Sequence, residues 1–208
     1  MRSRNWQKEL EAGMYVVGVD LPEGEYTITG EDGNSYSLWD KAHALSVSEY
    51  FGKEDYEIEI EEGAKLFQGA VVNVDGLSAV TFETNNGQVQ SMSQRQSNPL
   101  TEPFEFTDSA VAGKDFPAGT YDVEPIGDKF VTFEYEIQTG TGEYDYPVTF
   151  YGMLTSEASA EYPDYSTSYK NVVIPEGVTI TSEGYQIRLV PSEGITTEDY
   201  ESFYDNLT

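Results

Sequence analysis

Apolar and polar side chains alternate with a period of two in short runs along the chain. Tyr26-Thr27-Ile28-Thr29, Tyr36-Ser37-Leu38-Trp39 and Tyr56-Glu57-Ile58-Glu59-Ile60 do so in the first half. Phe130-Val131-Thr132-Phe133-Glu134-Tyr135-Glu136-Ile137 and Tyr185-Gln186-Ile187-Arg188-Leu189-Val190 do so in the second. That period puts one set of side chains on one face of a pleated strand, so each run predicts a strand. Val80-Thr81-Phe82-Glu83 and Phe104-Glu105-Phe106 predict two more. Glu31-Asp32-Gly33-Asn34, Glu61-Glu62-Gly63, Asn85-Asn86-Gly87 and Ser182-Glu183-Gly184 predict the turns between strands. Helix is predicted only at the ends. Trp6 and Leu10 share a face of a short N-terminal helix. Thr196 and Asp199 form a weak capping box before Tyr200, Phe203, Tyr204 and Leu207, which fall at helical spacing and predict a C-terminal helix packed on the preceding domain. Many short, regularly punctuated strands predict an all-β protein of two tandem, jelly-roll-like β-sandwich domains with short terminal helices.

The tandem arrangement is read from an internal repeat. Val16-Val17-Gly18-Val19-Asp20-Leu21-Pro22-Glu23-Gly24-Glu25-Tyr26 aligns with Val111-Ala112-Gly113-Lys114-Asp115-Phe116-Pro117-Ala118-Gly119-Thr120-Tyr121 at an offset of 95, with six identities in eleven positions. About one is expected by chance from average residue usage. Ile28 continues in step with Val123, and Leu38 with Phe133. Further on, Ile58-Glu59-Ile60-Glu61-Glu62-Gly63 aligns with Val172-Val173-Ile174-Pro175-Glu176-Gly177 at an offset of 114, and Leu66 then matches Ile180. The growth from 95 to 114 predicts an insertion of 19 residues in the second copy, within the Tyr-, Ser-, Gly- and Thr-rich stretch 139–170. The shared residues suit a strand, a tight corner and a strand. Pro22 and Pro117 preset φ for a turn, Gly24 and Gly119 supply a positive φ two residues on, and Asp20 and Asp115 accept local backbone N–H groups.

These features predict an N-terminal extension over 1–12, a first domain over 13–84, a linker over 85–103, a second domain over 104–191 and a helical tail over 192–208. The linker is assigned on its Asn, Gln, Ser and Pro content.

The run Tyr15-Val16-Val17-Gly18-Val19-Asp20-Leu21-Pro22-Glu23-Gly24-Glu25-Tyr26 resembles a repeat, Y-x-V-G-x-D-x-P-x-G-x-Y, of secreted and lipid-anchored proteins of Gram-positive bacteria, and the later Ile58–Leu66 block is similar to the same repeat's second part. Together the matching blocks cover about a third of the chain. The resemblance implies an extracellular or surface-anchored β-domain, with any signal or anchor outside this chain. It brings no catalytic residues with it. The second copy departs from the pattern at Ala110, which replaces the first tyrosine.

Charge narrows the partners. Eleven basic and thirty-eight acidic residues give a net charge of -27. Phosphate backbones and anionic lipid surfaces are repelled, so nucleic acid is excluded as a partner and an extracellular protein or glycan is expected instead. No run approaches the ~20 apolar residues of a membrane span. The absence of cysteine removes disulfides, thiolate metal sites and thiol nucleophiles.

Reaction chemistry is hard to place on this sequence. His43 is the sole histidine, with no partner evident for acid–base work. Gly76-Leu77-Ser78-Ala79-Val80 lacks the last glycine of a nucleophile elbow. A glycosidase needs only two carboxylates at a set separation. With thirty-eight acids, pairs such as Glu143 and Asp145 are inevitable, and that reading predicts a buried cleft with two facing carboxylates. No cofactor is expected. Calcium is the weak exception, because Asp32-Gly33-Asn34 and Asp75-Gly76 are fragments of an oxygen-ligand loop that double as ordinary turns. The sequence therefore predicts a non-catalytic module that binds or spaces, or alternatively a carbohydrate-binding module. Trp39, Tyr144, Tyr146, Tyr151, Tyr162 and Tyr165, and with them Tyr169, are the candidate contact aromatics.

Overall fold

The computed structural model describes residues 4–127, 129–138 and 147–206. The protein is all-β, with no helix of even two turns among the described residues. Among the described residues no helix is long and apolar enough to cross a membrane. The chain divides into two compact units: residues up to Arg95 with Ser159–Asp164, and Gln96–Ala158 with Tyr165 onward.

The first unit holds β1 (Arg4–Leu10), β2 (Gly13–Val16), β3 (Gly24–Thr29), β4 (Ser35–Asp40), β5 (Leu45–Tyr50), β6 (Ile60–Leu66), β7 (Val71–Asp75) and β8 (Val80–Gly87). One antiparallel sheet runs β1-β8-β3-β6, and a second runs β2-β7-β4-β5. Alternation along the strands sends Leu10, Tyr26, Ile28, Leu66, Val80 and Phe82 from one sheet, and Tyr15, Tyr36, Leu38, Val72 and Val74 from the other, into one core. Rings link the two faces. Trp6 meets Tyr26 at 6.1 Å, Tyr26 meets Phe82 at 6.2 Å, Phe82 meets Tyr36 at 5.9 Å, and Tyr36 stacks on Phe51 at 6.1 Å.

The second unit adds β9 (Gln96–Ser97), β10 (Phe104–Val111), β11 (Gly119–Pro125), β12 (Phe130–Ile137), β13 (Val148–Thr155), β14 (Tyr169–Ile174), β15 (Thr179–Pro191) and β16 (Gly194–Ile195). Here β10 and β15 form one long ribbon that takes part in both halves of the sandwich. The end of β15 near Leu189 pairs β11, which pairs β14. The end near Ile180 pairs β12, which pairs β13. The ribbon bends where Asp108 (φ 70), Glu183 (φ 49) and Gly184 (φ 90) leave the ladder. In the first unit the same two crossings are broken, into β1 and β2 on one side and β7 and β8 on the other.

The repeated motif builds the same corner in both units. Gly18 (φ 91) donates its N–H to Leu21 O at 2.7 Å, and Gly113 (φ 81) to Phe116 O at 2.7 Å. Val16 N–H is held by Asp20 Oδ2 at 2.8 Å, and Val111 N–H by Asp115 Oδ2 at 2.9 Å. The tyrosine hydroxyls close each corner by donating to a carbonyl four residues back, Tyr26 to Pro22 O at 2.5 Å and Tyr121 to Pro117 O at 2.7 Å. The positive φ therefore falls on Gly18 and Gly113, not on Gly24 and Gly119. Gly24 is small for another reason: a Cβ there would lie 3.0 Å from both Asn86 Oδ1 and Thr84 Oγ1.

Several expectations change. Trp6 and Leu10 lie on strand β1, opposite Thr84 and Val80, not on a helix. A spacing of four is even, so it fits one face of a strand as well as one face of a helix. Residues 4–12 are thus part of the first unit. Glu61-Glu62-Gly63 and Ser182-Glu183-Gly184 are bulges inside β6 and β15 rather than turns, because a glycine at positive φ serves either purpose. The run Tyr56–Glu59 precedes β6 and is not strand. The stretch 85–103 is not a free linker. Gln88 N–H bonds Glu23 O at 2.8 Å, Ser93 N–H bonds Gly18 O at 2.9 Å, and Arg95 grips Asp20, all within the first unit. Asn98 Nδ2 bonds Thr120 O at 2.9 Å within the second. The predicted C-terminal helix is a single 3-10 turn, Phe203–Asn206. Asp199, not Thr196, caps the preceding bend by accepting Ser202 N–H at 3.2 Å. Tyr204 packs into the second unit as expected, and Leu207 lies outside the described residues.

The register between the units also differs from the sequence alignment. Leu38 opposes Val72, and Tyr135 opposes Ile180, so Leu38 corresponds to Tyr135 rather than to Phe133. Leu66 opposes Gly24, and Ile174 opposes Gly119, an offset of 108 rather than 114. The extra length in the second unit between these strands is then 108 less 97, or eleven residues rather than nineteen.

Candidate functional site

The outward face of the second unit carries polar rows beside an open cleft. On β12 the inward positions Val131, Phe133, Tyr135 and Ile137 are buried, so Phe130, Thr132, Glu134 and Glu136 face the other way. Cross-strand pairing then builds rows. Glu134 sits between Tyr151 of β13 and Thr181 of β15. Thr132 lies opposite Met153, and its hydroxyl reaches Glu183 Oε2 at 3.4 Å. Beside these rows an open cleft of about 650 Å³ is lined in part by Glu134, Glu136, Gln138, Glu176, Thr179 and Thr181. Among the described residues no lysine or arginine lines it.

Tyr151 of β13 is an aromatic of this face, 49% exposed. Its hydroxyl is held above the usual phenol range, first by partial burial, then by the nearby Tyr165 hydroxyl and the Glu183 and Glu134 carboxylates. A hydrogen bond with Thr132 works the other way. Tyr165 is half-buried and stands edge-on to Phe130 at 4.9 Å, and Lys129 Nζ lies 5.4 Å from the centre of the Phe130 ring.

The candidate aromatics do not form one platform. Tyr151 and Tyr165 come together on the second unit. Trp39 is half-buried on the outward face of β4 in the first unit and has contacts of its own. Tyr162, 38% exposed, belongs to the Ser159–Asp164 segment that groups with the first unit. Tyr169, from the same tyrosine-rich stretch, is buried against Phe133 at 5.4 Å. Tyr144 and Tyr146, with Glu143 and Asp145, lie outside the described residues.

His43 has a partner that the sequence reading missed. Its Nδ1 lies 2.7 Å from Asp40 Oδ2, Asp40 Oδ1 accepts the His43 N–H at 3.2 Å, and the imidazole stacks on Phe67 at 3.9 Å. Asp40 is the N-cap of a one-turn 3-10 helix, a three-residue spacing visible in the sequence. No serine or threonine hydroxyl is bonded to this pair among the described residues.

The calcium fragments serve as turns. Asn34 is buried, donates Nδ2 to Asp75 O at 3.1 Å and to Ser78 O at 2.7 Å, and accepts Glu31 N–H at 3.0 Å. Asp164 is pushed above the ordinary carboxylate range by partial burial and by the Asp32 and Glu57 charges near it. Among the described residues no group of three or more His, Cys, Asp or Glu is arranged to hold a metal ion.

The residues that line the cleft were legible only as alternation. Thr132, Glu134 and Glu136 mark a polar strand face in the sequence, but Glu176, Thr179 and Thr181 reach it only through the fold.

No family model matches the chain, and no curated protein matches it. Among solved structures the chain is similar to the regulatory domain of Toxoplasma gondii PKA with cAMP, at 10% identity over 97% of this chain and 80% of that one, with a TM-score of 0.21. It is also similar to cAMP-bound PfPKA-R (141–441), at 9% identity over 98% of this chain and 73% of that one, with a TM-score of 0.19. At such scores the likeness carries no argument about fold or ligand.

Proposed function

We propose that this chain is a non-catalytic binding or spacing module, formed by duplication of one β-unit, that works outside the cell or anchored at its surface. The resemblance of Tyr15–Tyr26 to the Gram-positive repeat supports the setting. The large negative charge supports a protein or glycan partner over nucleic acid. One observation carries the binding reading. The residues shared at offset 95 are consumed in corner hydrogen bonds, whereas Tyr151 stands half-exposed beside its polar rows at the place where the first unit carries Ser48. A ligand surface is expected where the units differ.

The exposed Tyr151 ring beside hydroxyl and carboxylate side chains favours a glycan among those partners, since a sugar offers C–H faces for stacking and hydroxyls for the polar rows. A glycan array probed with the native chain and with Tyr151→Ala tests this. Binding that the substitution reduces about tenfold supports the glycan reading. An array with no signal removes it and leaves a protein partner or a spacer. Product analysis of any bound glycan tests the non-catalytic part, because the cleft does bring carboxylates together. Shortened chains after incubation would make the protein a hydrolase.

A further inference from the structure

The sheet edges of the first unit are not protected alike. The edge strand β1 carries Lys8 and Glu9, and β6 carries Glu61, Glu62 and Lys65 with a bulge at Gly63. Charges and bulges of this kind stop an edge from pairing with another strand. β5 ends its sheet, and its sequence Leu45-Ser46-Val47-Ser48-Glu49-Tyr50 holds a single charge. Its register against β4 runs unbroken from Leu45 opposite Asp40 to Tyr50 opposite Ser35. Phe51 N–H donates to Asn34 O at 2.8 Å and sets the phase of that ladder. Leu45, Val47 and Glu49 therefore bond toward β4, while Ser46, Ser48 and Tyr50 turn their N–H and C=O groups outward. Among the described residues the outward backbone groups of Ser46 and Ser48 have no partner within the protein.

The chain itself shows what this edge accepts. Ile58 lies parallel to it as a one-residue bridge, donating its N–H to Tyr50 O at 2.9 Å and accepting Gly52 N–H at 3.1 Å. Ser166 makes the same bridge to Met153 and Thr155 at the equivalent place on β13. Beyond the bridge the second unit presents Thr149 and Tyr151, whereas the first presents Ser46 and Ser48, both exposed and small enough for another backbone to approach. Trp39, opposite Ser46, and Tyr50, 55% exposed, offer rings on the same face. Charge selects the occupant. From Leu45 to Ile60 the chain carries Glu49, Glu54, Asp55, Glu57 and Glu59 against Lys53. A second copy would set these carboxylates against their own kind, and a basic segment would meet opposite charge.

We infer that the free edge of β5 receives an extended basic segment of a partner protein, added to the sheet as a further strand. The segment's backbone bonds to Ser46 and Ser48. Its lysine or arginine side chains lie among the carboxylates and over the Trp39 and Tyr50 rings. The surface uses no residue of the Tyr151 face, so the inference does not rest on the glycan reading.

Calorimetric titration of the full chain with three end-blocked octapeptides tests it. These are alternating Lys and Val, the same peptide with every amide N-methylated, and alternating Glu and Val. The Lys–Val peptide is expected to bind about tenfold or more tighter than either of the others, since only it brings both amide donors and positive charge. Ser48→Pro removes an outward N–H and costs no ladder bond, and should weaken binding about tenfold. Ser48→Ala keeps that N–H and should leave binding unchanged. Glu59→Gln should weaken it about threefold, and Glu9→Gln, an equal charge change on β1, should not. Equal binding of the N-methylated peptide shows attraction by charge alone and overturns the inference. Equal binding of the Glu–Val peptide overturns the basic occupant. No binding of the Lys–Val peptide, or native binding by Ser48→Pro, overturns the site and leaves the glycan reading untouched. Sedimentation of the native chain is the last arm: a dimer that Ser48→Pro dissolves assigns the edge to a second copy and overturns the inference. A thermal melt confirms that each variant is folded. If Ser48→Pro is not, the N-methylated peptide decides.

Discussion

Asp20 and Asp115 occupy the same place in the same corner, and their surroundings differ. In the first unit Asp20 is nearly buried, and Arg95 grips it with Nε at 2.7 Å from Oδ1 and a second guanidinium nitrogen at 2.8 Å from Oδ2. In the second unit Asp115 is exposed, and its one hydrogen bond of note is the local one to Val111 N–H. The local bond is what the repeated sequence specifies, since it spans four residues of the motif. The ion pair depends on Arg95, seventy-five residues away, in a segment whose composition reads as linker. A repeat thus fixes the corner, and what each unit adds after its last strand decides how firmly that corner is held.

The sharpest way to break the comparison is to remove the two carboxylates separately. Asp20→Ala leaves a largely buried guanidinium without its counter-ion and is expected to cost about 3 kcal/mol. Asp115→Ala removes one partly solvated hydrogen bond and is expected to cost about 1 kcal/mol. Trp6 and Trp39 are the two tryptophans, and both lie in the first unit. Tryptophan fluorescence in urea therefore follows that unit, while far-UV circular dichroism follows both. The midpoint by fluorescence should fall steeply for Asp20→Ala and stay near native for Asp115→Ala. Equal shifts would mean that the two units unfold as one; a shift for Asp20→Ala no larger than about 1 kcal/mol would mean that Arg95 contributes nothing to the corner.

The second unit has a clamp of its own, in its tail. Tyr204 is buried, donates its hydroxyl to Val173 O at 2.5 Å and lies 2.9 Å from the Tyr135 hydroxyl, with Phe150 packed at 5.2 Å. Burial is the main reason its hydroxyl titrates far above the usual phenol range, so it remains a donor at any working pH. Tyr204→Phe keeps the ring and removes the hydrogen bonds to the Val173 carbonyl and the Tyr135 hydroxyl, an expected cost of about 1–3 kcal/mol. The loss should appear in circular dichroism and spare the tryptophan signal, the reverse of Asp20→Ala. A matching loss in fluorescence would refute the separate-clamp account.

Much of this architecture was readable before any coordinates, and the failures share a cause. Alternation located β3, β4, β12 and the end of β15, because a half-buried strand must alternate. The corner residues were identified but given the wrong glycine, since Pro22-x-Gly24 mimics a turn that Gly18 makes. Gly63 and Gly184 punctuate the sequence as turns do, yet they bend strands that continue. Trp6 and Leu10 satisfy two periods at once. Each of these signals is local and ambiguous, and the long-range ladder decides between the alternatives. The site was least legible for the same reason. Tyr151 could be named as an aromatic, but Thr181 joins its cross-strand row only when β15 pairs with β12.

The feature that is the same in both units gives a finer test. Tyr26→Phe and Tyr121→Phe each delete the hydroxyl that closes a corner and leave a proline carbonyl without its donor. Each should cost about 1 kcal/mol. Burial drives both phenols upward, Tyr121 to about 12, so both hydroxyls keep their protons across the neutral range. Amide exchange at Val16 and Val111 measures each corner in turn. If the two costs differ by more than a factor of two, the corners are not equivalent despite their matching geometry.

The smallest effect concerns charge that the first unit carries at a disadvantage. Asp164 lies near Asp32 and Glu57, and partial burial together with those like charges raises its pKa in the folded state. A carboxyl with a raised folded pKa binds more protons folded than unfolded between its ordinary value and the raised one. Stability therefore falls as pH rises through that window and stays lower above it. Asp164→Asn removes the charge and the loss together. The variant should be more stable than the native chain at neutral pH and equal to it below the ordinary carboxylate range. Solvent screens an exposed group such as this one, so the gain should be no more than about 0.5 kcal/mol. Urea midpoints by tryptophan fluorescence at pH 3 and pH 7 measure it. A gain of the same size at both values would trace to the amide's own contacts rather than to the three carboxylates. A loss at pH 7 would show that the Asp164 charge is favourable in the folded unit, as a bound cation between these groups would make it.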